Sequence, residues 1–173
     1  VGQRLPFMAP FGLGWLAWDS PEAIDAWVRR ACPQPSEGDL ESYRRRAAQI
    51  RSDGYEVGLE SLIRDQIGQI LAELARAPGA PDLLDAMHHL VARLAEQEDQ
   101  HAGGINPELS YDLNYLGAPI FGPDARPVLG IAILGFTNPT SGARLIELAD
   151  HLVDSTRRVS LATGGRLPLD LSF

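Results

Sequence analysis

Cysteine occurs once, at Cys32, in a chain of 173 residues. That excludes an internal disulfide and suits a reducing compartment. Positive charge is scarce as well: 15 Lys and Arg face 23 Asp and Glu, for a net charge of -8. A nucleic-acid-binding domain is expected to carry a basic stripe, and the chain as a whole has none. Its one basic run, Arg44-Arg45-Arg46 with Arg51, lies among Glu37, Asp39, Glu41 and Asp53 and reads as a solvated helix face. No apolar run approaches the ~20 residues needed to span a bilayer. No positively charged leader precedes an apolar stretch. The expectation is a cytoplasmic protein with no membrane contact.

Signatures of chemistry are missing too. Gly12-Leu13-Gly14 lacks the preceding strand and the later glycine of a dinucleotide fingerprint. There is no P-loop and no cysteine pair for zinc. His88 and His89 are neighbours, so on a helix they point about 100° apart, whereas metal ligands need i, i+4 spacing. Cys32 has no histidine near it in sequence and reads as a packing residue. Asp99 and His101 form a candidate polar dyad, placed in a loop. No cofactor and no metal are expected.

What is present is a pair of apolar strands, Tyr115-Leu116-Gly117-Ala118-Pro119-Ile120-Phe121 and Val128-Leu129-Gly130-Ile131-Ala132-Ile133-Leu134. Pro123, Asp124 and Pro127 punctuate the turn between them. Both strands read as buried. Gly117, Ala118, Gly130 and Ala132 are small where a central strand usually carries bulk, which leaves room for a ligand or a helix to pack there.

Helices fill most of the remainder. Residues 2–18 read as an extended segment followed by a tight helix whose glycines allow close backbone approach. Ser20-Pro21-Glu22 is a helix start, with Ser20 as N-cap and Pro21 at the first position. This helix runs through Ile24, Trp27 and Val28 to Cys32-Pro33. A second start at or near Asp39 leads through Leu40, Tyr43, Ala47 and Ile50, and Gly54 closes that helix. A short strand follows at Tyr55-Glu56-Val57-Gly58-Leu59. Leu62, Ile63, Ile67, Ile70, Leu71 and Leu74 mark one further helix; Leu83, Leu84, Met87, Leu90, Val91 and Leu94 mark the next. The breaker cluster at residues 77–82 folds these two into an antiparallel hairpin. Residues 139–163 read as a long amphipathic helix with a stripe of Leu145, Leu148, Leu152, Thr156 and Val159. The order is wrong for a doubly wound parallel sheet. It predicts an α+β fold, an antiparallel sheet flanked by helices, with a helical hairpin inserted at about residues 60–99.

Aromatic residues cluster early: Trp15, Trp18 and Trp27 with Phe7 and Phe11. They read either as core or as the wall of an apolar pocket. The hydroxyls of Tyr111 and Tyr115 read either as ligand-orienting groups or as partners of the backbone.

Several segments resemble the effector-binding domain of IclR-type transcriptional regulators. Gly2-Gln3-Arg4-Leu5-Pro6-Phe7, followed by the Gly12 region, is similar to that family's opening. Arg51-Ser52-Asp53-Gly54-Tyr55-Glu56-Val57 resembles its Arg-x-x-Gly-Tyr-x-Val strand start. Leu116-Gly117-Ala118-Pro119-Ile120-Phe121 resembles its apolar-Ala-Ala-Pro-Val-Phe strand. Asp124 with Arg126 matches its hairpin turn. The resemblance covers most of the chain except about residues 59–110. It implies a GAF-like sensor over residues 1–173 that binds a small molecule and forms a homodimer or tetramer. It also implies a winged helix-turn-helix DNA-binding domain upstream, outside this sequence, with DNA bound only through it, and early sensor strands outside the sequence as well.

The departures carry information. Where small-acid-binding members hold an Asp, a Cys and strand hydroxyls, this chain holds Gly58, Tyr115, Ala132 and Leu134. Burying a carboxylate without donors costs several kcal/mol. The expected effector is therefore uncharged or aromatic, in a pocket lined by Phe11, Gly12, Leu13, Trp15, Tyr115, Gly117, Ala132 and Leu134. Two other classes stay open: a hydrolase-like enzyme, against which stands the lack of a nucleophile–base pair, and a ligand-free dimerisation scaffold.

Overall fold

The computed structural model describes residues 7–32, 34–77, 79–100, 104–137 and 139–169. The Gly2–Pro6 part of the family-like opening, Pro33, Pro78 and His101 lie outside them. Among the described residues, six helices and a small antiparallel sheet make the fold α+β.

The first half is helical. A single turn, α1 (Leu13–Leu16), follows Gly12, whose φ of 92° is a left-handed conformation that favours glycine. Helix α2 (Pro21–Ala31) starts as its sequence predicts: the Ser20 hydroxyl accepts from the Ala23 N–H and Pro21 takes the first position. Helix α3 (Glu37–Asp53) begins close to Asp39, with Ser36 as its N-cap. There the Ser36 hydroxyl and the Asp39 carboxylate cap each other's backbone N–H groups. Asp39 is thus the far half of a capping box. Gly54 ends the helix at φ 76°, as expected. Leu13, Ile24, Trp27, Val28, Leu40, Tyr43 and Ala47 form one core between these helices.

The basic run is less solvated than its sequence suggests. Arg44 forks onto Asp25 of α2, with Nε–Oδ1 at 2.9 Å and Nη2–Oδ2 at 2.6 Å. Arg51 donates to the Ala17 carbonyl at 3.0 Å. These two side chains tie α3 to its neighbours, because each finds an acceptor that sequence distance conceals.

The sheet runs β1 (Glu56–Leu59), β3 (Leu113–Phe121), β4 (Pro127–Leu134), all antiparallel. Gly58 pairs with Tyr115 and Leu59 with Leu113, so Asn114 has no partner and forms a bulge. The bulge brings Leu113 onto the face that carries Leu116 and Ala118. Helix α6 (Gly142–Ala162) covers this face through Leu145, Ala149 and Leu152. A separate two-stranded ladder, β2 (Ser110–Tyr111) with β5 (Thr140–Ser141), brackets the start of α6.

Two sequence expectations change here. Strand β4 is not buried: it is a sheet edge, and Val128, Leu129, Ile131 and Leu134 are all exposed. The buried stripe of α6 ends at Ser160, which is fully buried, and not at Val159, which is exposed. The Ser160 hydroxyl accepts from the Phe121 N–H at 2.9 Å and donates to the Thr156 carbonyl at 2.8 Å. The chain after α6 folds back too, with Arg166 N–H donating to the Gly122 carbonyl.

The inserted hairpin is α4 (Ser61–Leu74) and α5 (Pro81–Gln100). Ile63, Ile67, Met87, Leu90 and Leu94 give it a core of its own, with Phe11 packed against it. Asp99 belongs to α5 and not to a loop, because the helical run continues past the last apolar position. No helix among the described residues is long and apolar enough to cross a membrane.

Candidate ligand cleft

The face of the sheet turned away from α6 carries the small residues. Strand pairing sets Gly117 across from Ala132 and Pro119 across from Gly130. Side chains directly opposite in a ladder share a face, so these four build one smooth, nearly bare strip. Helix α1 crosses it. Being a single turn, α1 sends Leu13 and Leu16 into the helical core and turns Gly14 and Trp15 towards the sheet. Between them lies a cleft of about 210 Å³, walled by Trp15 and Tyr115, floored by Gly117, Gly130 and Ala132, and flanked by Glu56.

Three glycines fix this geometry. A Cβ on Gly14 would lie 2.6 Å from Glu56 Oε2, so the glycine lets the carboxylate approach α1. A Cβ on Gly130 would touch the Trp15 ring at 3.4 Å. The Tyr115 ring occupies the place of a side chain on Gly58, directly across the ladder. Its other partner is Arg64, whose guanidinium lies 5.1 Å from the ring centre while Nε donates to the Leu59 carbonyl at 2.7 Å. Trp15 stands at the lip, 43% exposed.

The small positions are therefore filled in part. Tyr115 covers Gly58 and Trp15 leans on Gly130, but the strip at Gly117 and Ala132 borders open space. Of the eight expected lining residues, Trp15, Tyr115, Gly117 and Ala132 meet there. Leu134 shares their face, across from Tyr115, but is 69% exposed at the end of the edge strand and stands outside the cleft. Leu13 is fully buried in the helical core. Phe11 packs on the hairpin, and Gly12 lies against the Phe7 ring. Phe11 and Gly12 precede α1, and Leu13 opens it on the side turned away from the sheet. Glu56 and Gly14 join the cleft although sequence reasoning did not assign them to it; Gly130, one of the small positions expected to leave room, joins it too, while the Ala118 side chain packs in the core under α6. Period-two alternation placing Glu56 on the face of Gly58 is the signal that finds the first.

The remaining candidates resolve separately. Tyr111 takes the backbone role: its hydroxyl accepts from the Asn106 N–H at 2.8 Å. Trp27 is core, its Nε1 donating to the Phe11 carbonyl at 3.1 Å. Tyr55, at the start of β1, has its phenol pushed up to about 12 by burial first and by the Asp53 and Asp150 carboxylates next. It is neutral at physiological pH. Among the described residues no group of His, Cys, Asp and Glu is arranged to hold a metal ion.

Chemically the cleft offers rings, a bare strip and one carboxylate. It suits a flat apolar guest with a hydrogen-bond donor. Compared with known proteins, the chain matches no family model, no curated protein and no solved structure.

Proposed function

We propose that this chain is a small-molecule-sensing regulatory module of an IclR-type transcriptional regulator, GAF-like in its sensor fold, non-catalytic and cytoplasmic. One observation carries the reading: the strip at Gly117 and Ala132 borders open space between the Trp15 and Tyr115 rings. An uncharged aromatic guest gains apolar contact with strip and walls, and Glu56 accepts one hydrogen bond from it. A short carboxylate finds no Arg, Lys or His among the described residues that line the cleft. A guest in contact with both α1 and the sheet biases how the helical half packs on the strands. A coupling of about 1–3 kcal/mol changes operator affinity several-fold to a hundredfold. DNA is reached only through a winged-helix domain outside this sequence, in a homodimer or tetramer. The apolar, exposed edge of β4 supports a second copy as partner.

Calorimetry tests this with a panel of uncharged aromatic compounds and short carboxylic acids. We expect an uncharged aromatic to bind, and Ala132→Trp to weaken it by about tenfold or more while the melting temperature holds. Preference for a short carboxylate, or unchanged affinity in the variant, overturns the reading. A second reading, the ligand-free dimerisation scaffold, draws support from Tyr115 filling the space over Gly58. It predicts that nothing in the panel binds while the dimer persists.

A further inference from the structure

The sheet cleft is not the largest cavity. A groove of about 420 Å³ runs between the α2–α3 pair and α5 of the inserted hairpin. Its walls include Met8, Val28, Tyr43, Met87 and Val91. Val28 and Tyr43 belong to the helical core, and Met87 and Val91 to the hairpin core, two clusters that are each packed within themselves. The space between them is left unfilled. Val28, Tyr43 and Met87 are buried residues that nevertheless border it, so the groove is recessed and not a flat patch.

We propose that this groove is a second binding site, for an uncharged aromatic small molecule, separate from the sheet cleft. Its volume falls in the range of small-ligand pockets, about 300–1,000 Å³. Met8 and Met87 supply thioethers, which adapt to ring edges and irregular shapes. Among the described lining residues only Asp39 carries a fixed charge, and its carboxylate turns back to Ser36, accepting from the N–H at 2.8 Å and the hydroxyl at 2.7 Å. His88 stands exposed at the rim and offers a hydrogen bond to a polar substituent. The occupant bridges α5 and the α2–α3 pair, and so fastens the insert to the body. The site stands whether or not the sheet cleft takes an effector.

The probe is N-phenyl-1-naphthylamine, an uncharged aromatic dye that brightens in apolar surroundings, titrated into the full chain. Cys32 lines the groove, is exposed, and is the sole cysteine of the chain, so its alkylation by a maleimide reports occupancy directly. Expected is Cys32 alkylation slowed about fivefold or more at dye saturation, with the dye concentration needed for that protection raised about tenfold in Ala92→Trp. Ala92 is an exposed lining residue of α5, so the variant should fold. His88→Trp is the second filler, and far-UV circular dichroism checks both. Ala132→Trp, in the sheet cleft, should leave the dye's protection of Cys32 within about twofold. Absence of dye binding, undiminished Cys32 alkylation at saturation, or loss of binding in Ala132→Trp with retention in both groove fillers overturns the proposal. Loss of the effector in calorimetry with dye binding intact overturns only the sheet-cleft reading.

Discussion

A hydroxyl at residue 160 joins the last helix to the sheet. Ser160 is fully buried and both of its hydrogen-bonding roles are taken, by the Phe121 N–H and the Thr156 carbonyl. Ser160→Ala strands a buried backbone donor, a change that costs about 1–3 kcal/mol. Ser155→Ala on the exposed side of α6 removes a similar bond to the His151 carbonyl and should cost under about 0.5 kcal/mol. Urea midpoints of the two variants measure the difference; equal midpoints would mean the Phe121 N–H finds another partner. Asp25 gives a pH-dependent counterpart. Its hydrogen bonds to Arg44, ahead of the charge attraction of Arg44 and Arg29, hold its carboxyl below the ordinary 3.8. A carboxyl depressed in the folded state stabilises fully above its unfolded value and loses that contribution as pH falls through its folded one. Asp25→Asn should therefore lower the urea midpoint at pH 7, and the gap to wild type should narrow below about pH 4. A gap that stays constant down to pH 2.5 would place the effect of the substitution outside ionisation.

At the scale of elements, the edge strand carries the sharpest consequence. Natural edges are blunted by charge, bulges or covering elements, yet β4 presents Leu129 at 61% and Ile131 at 38% exposure with no charged residue between Arg126 and the end of the strand. An antiparallel partner strand from a second copy covers such an edge through a two-fold interface. Leu129→Lys with Ile131→Lys should weaken self-association about tenfold or more without loss of fold, read by light scattering across a dilution series. Unchanged mass would move the interface to another face. The same strand shows where sequence reading reaches its limit. Its Ile and Leu run identifies a strand, but whether a strand is central or at an edge depends on what packs around it, and β4 reads like a buried one. The start and stop of α2 and the stop of α3 were legible because caps act within a few residues. The Arg44–Asp25 fork was not legible: its partners are separated by 19 positions. Half of the cleft was legible for a related reason. Alternation along β3 and β4 set Tyr115, Gly117 and Ala132 on one face. The single turn of α1, by contrast, decides by a rotation of 100° per residue that Trp15 faces the sheet and Leu13 does not.

For the whole molecule, the division into cores matters most. The sheet–α6 core and the α1–α3 core meet along the cleft, while the hairpin keeps a core of its own. Its attachments lie near one end. The Glu60 N–H donates to the Asp112 carbonyl at 2.9 Å and Arg64 to the Leu59 carbonyl at 2.7 Å. Phe11 adds apolar contact. The opposite end of the hairpin lies where α4 stops at Leu74 and α5 starts at Pro81. Segments with separate apolar contacts open below the global unfolding free energy. Amide exchange by mass spectrometry should therefore show α4 and α5 opening about 2 kcal/mol or more below β3 and α6, fastest near residues 75–81. Saturation with N-phenyl-1-naphthylamine should narrow that difference, since a guest in the groove ties α5 to α2 and α3 and binding stabilises only the closed form. Uniform protection across hairpin, β3 and α6 in the free protein would show the insert to be an integral part of one cooperative unit, leaving no loose element for a guest to fasten.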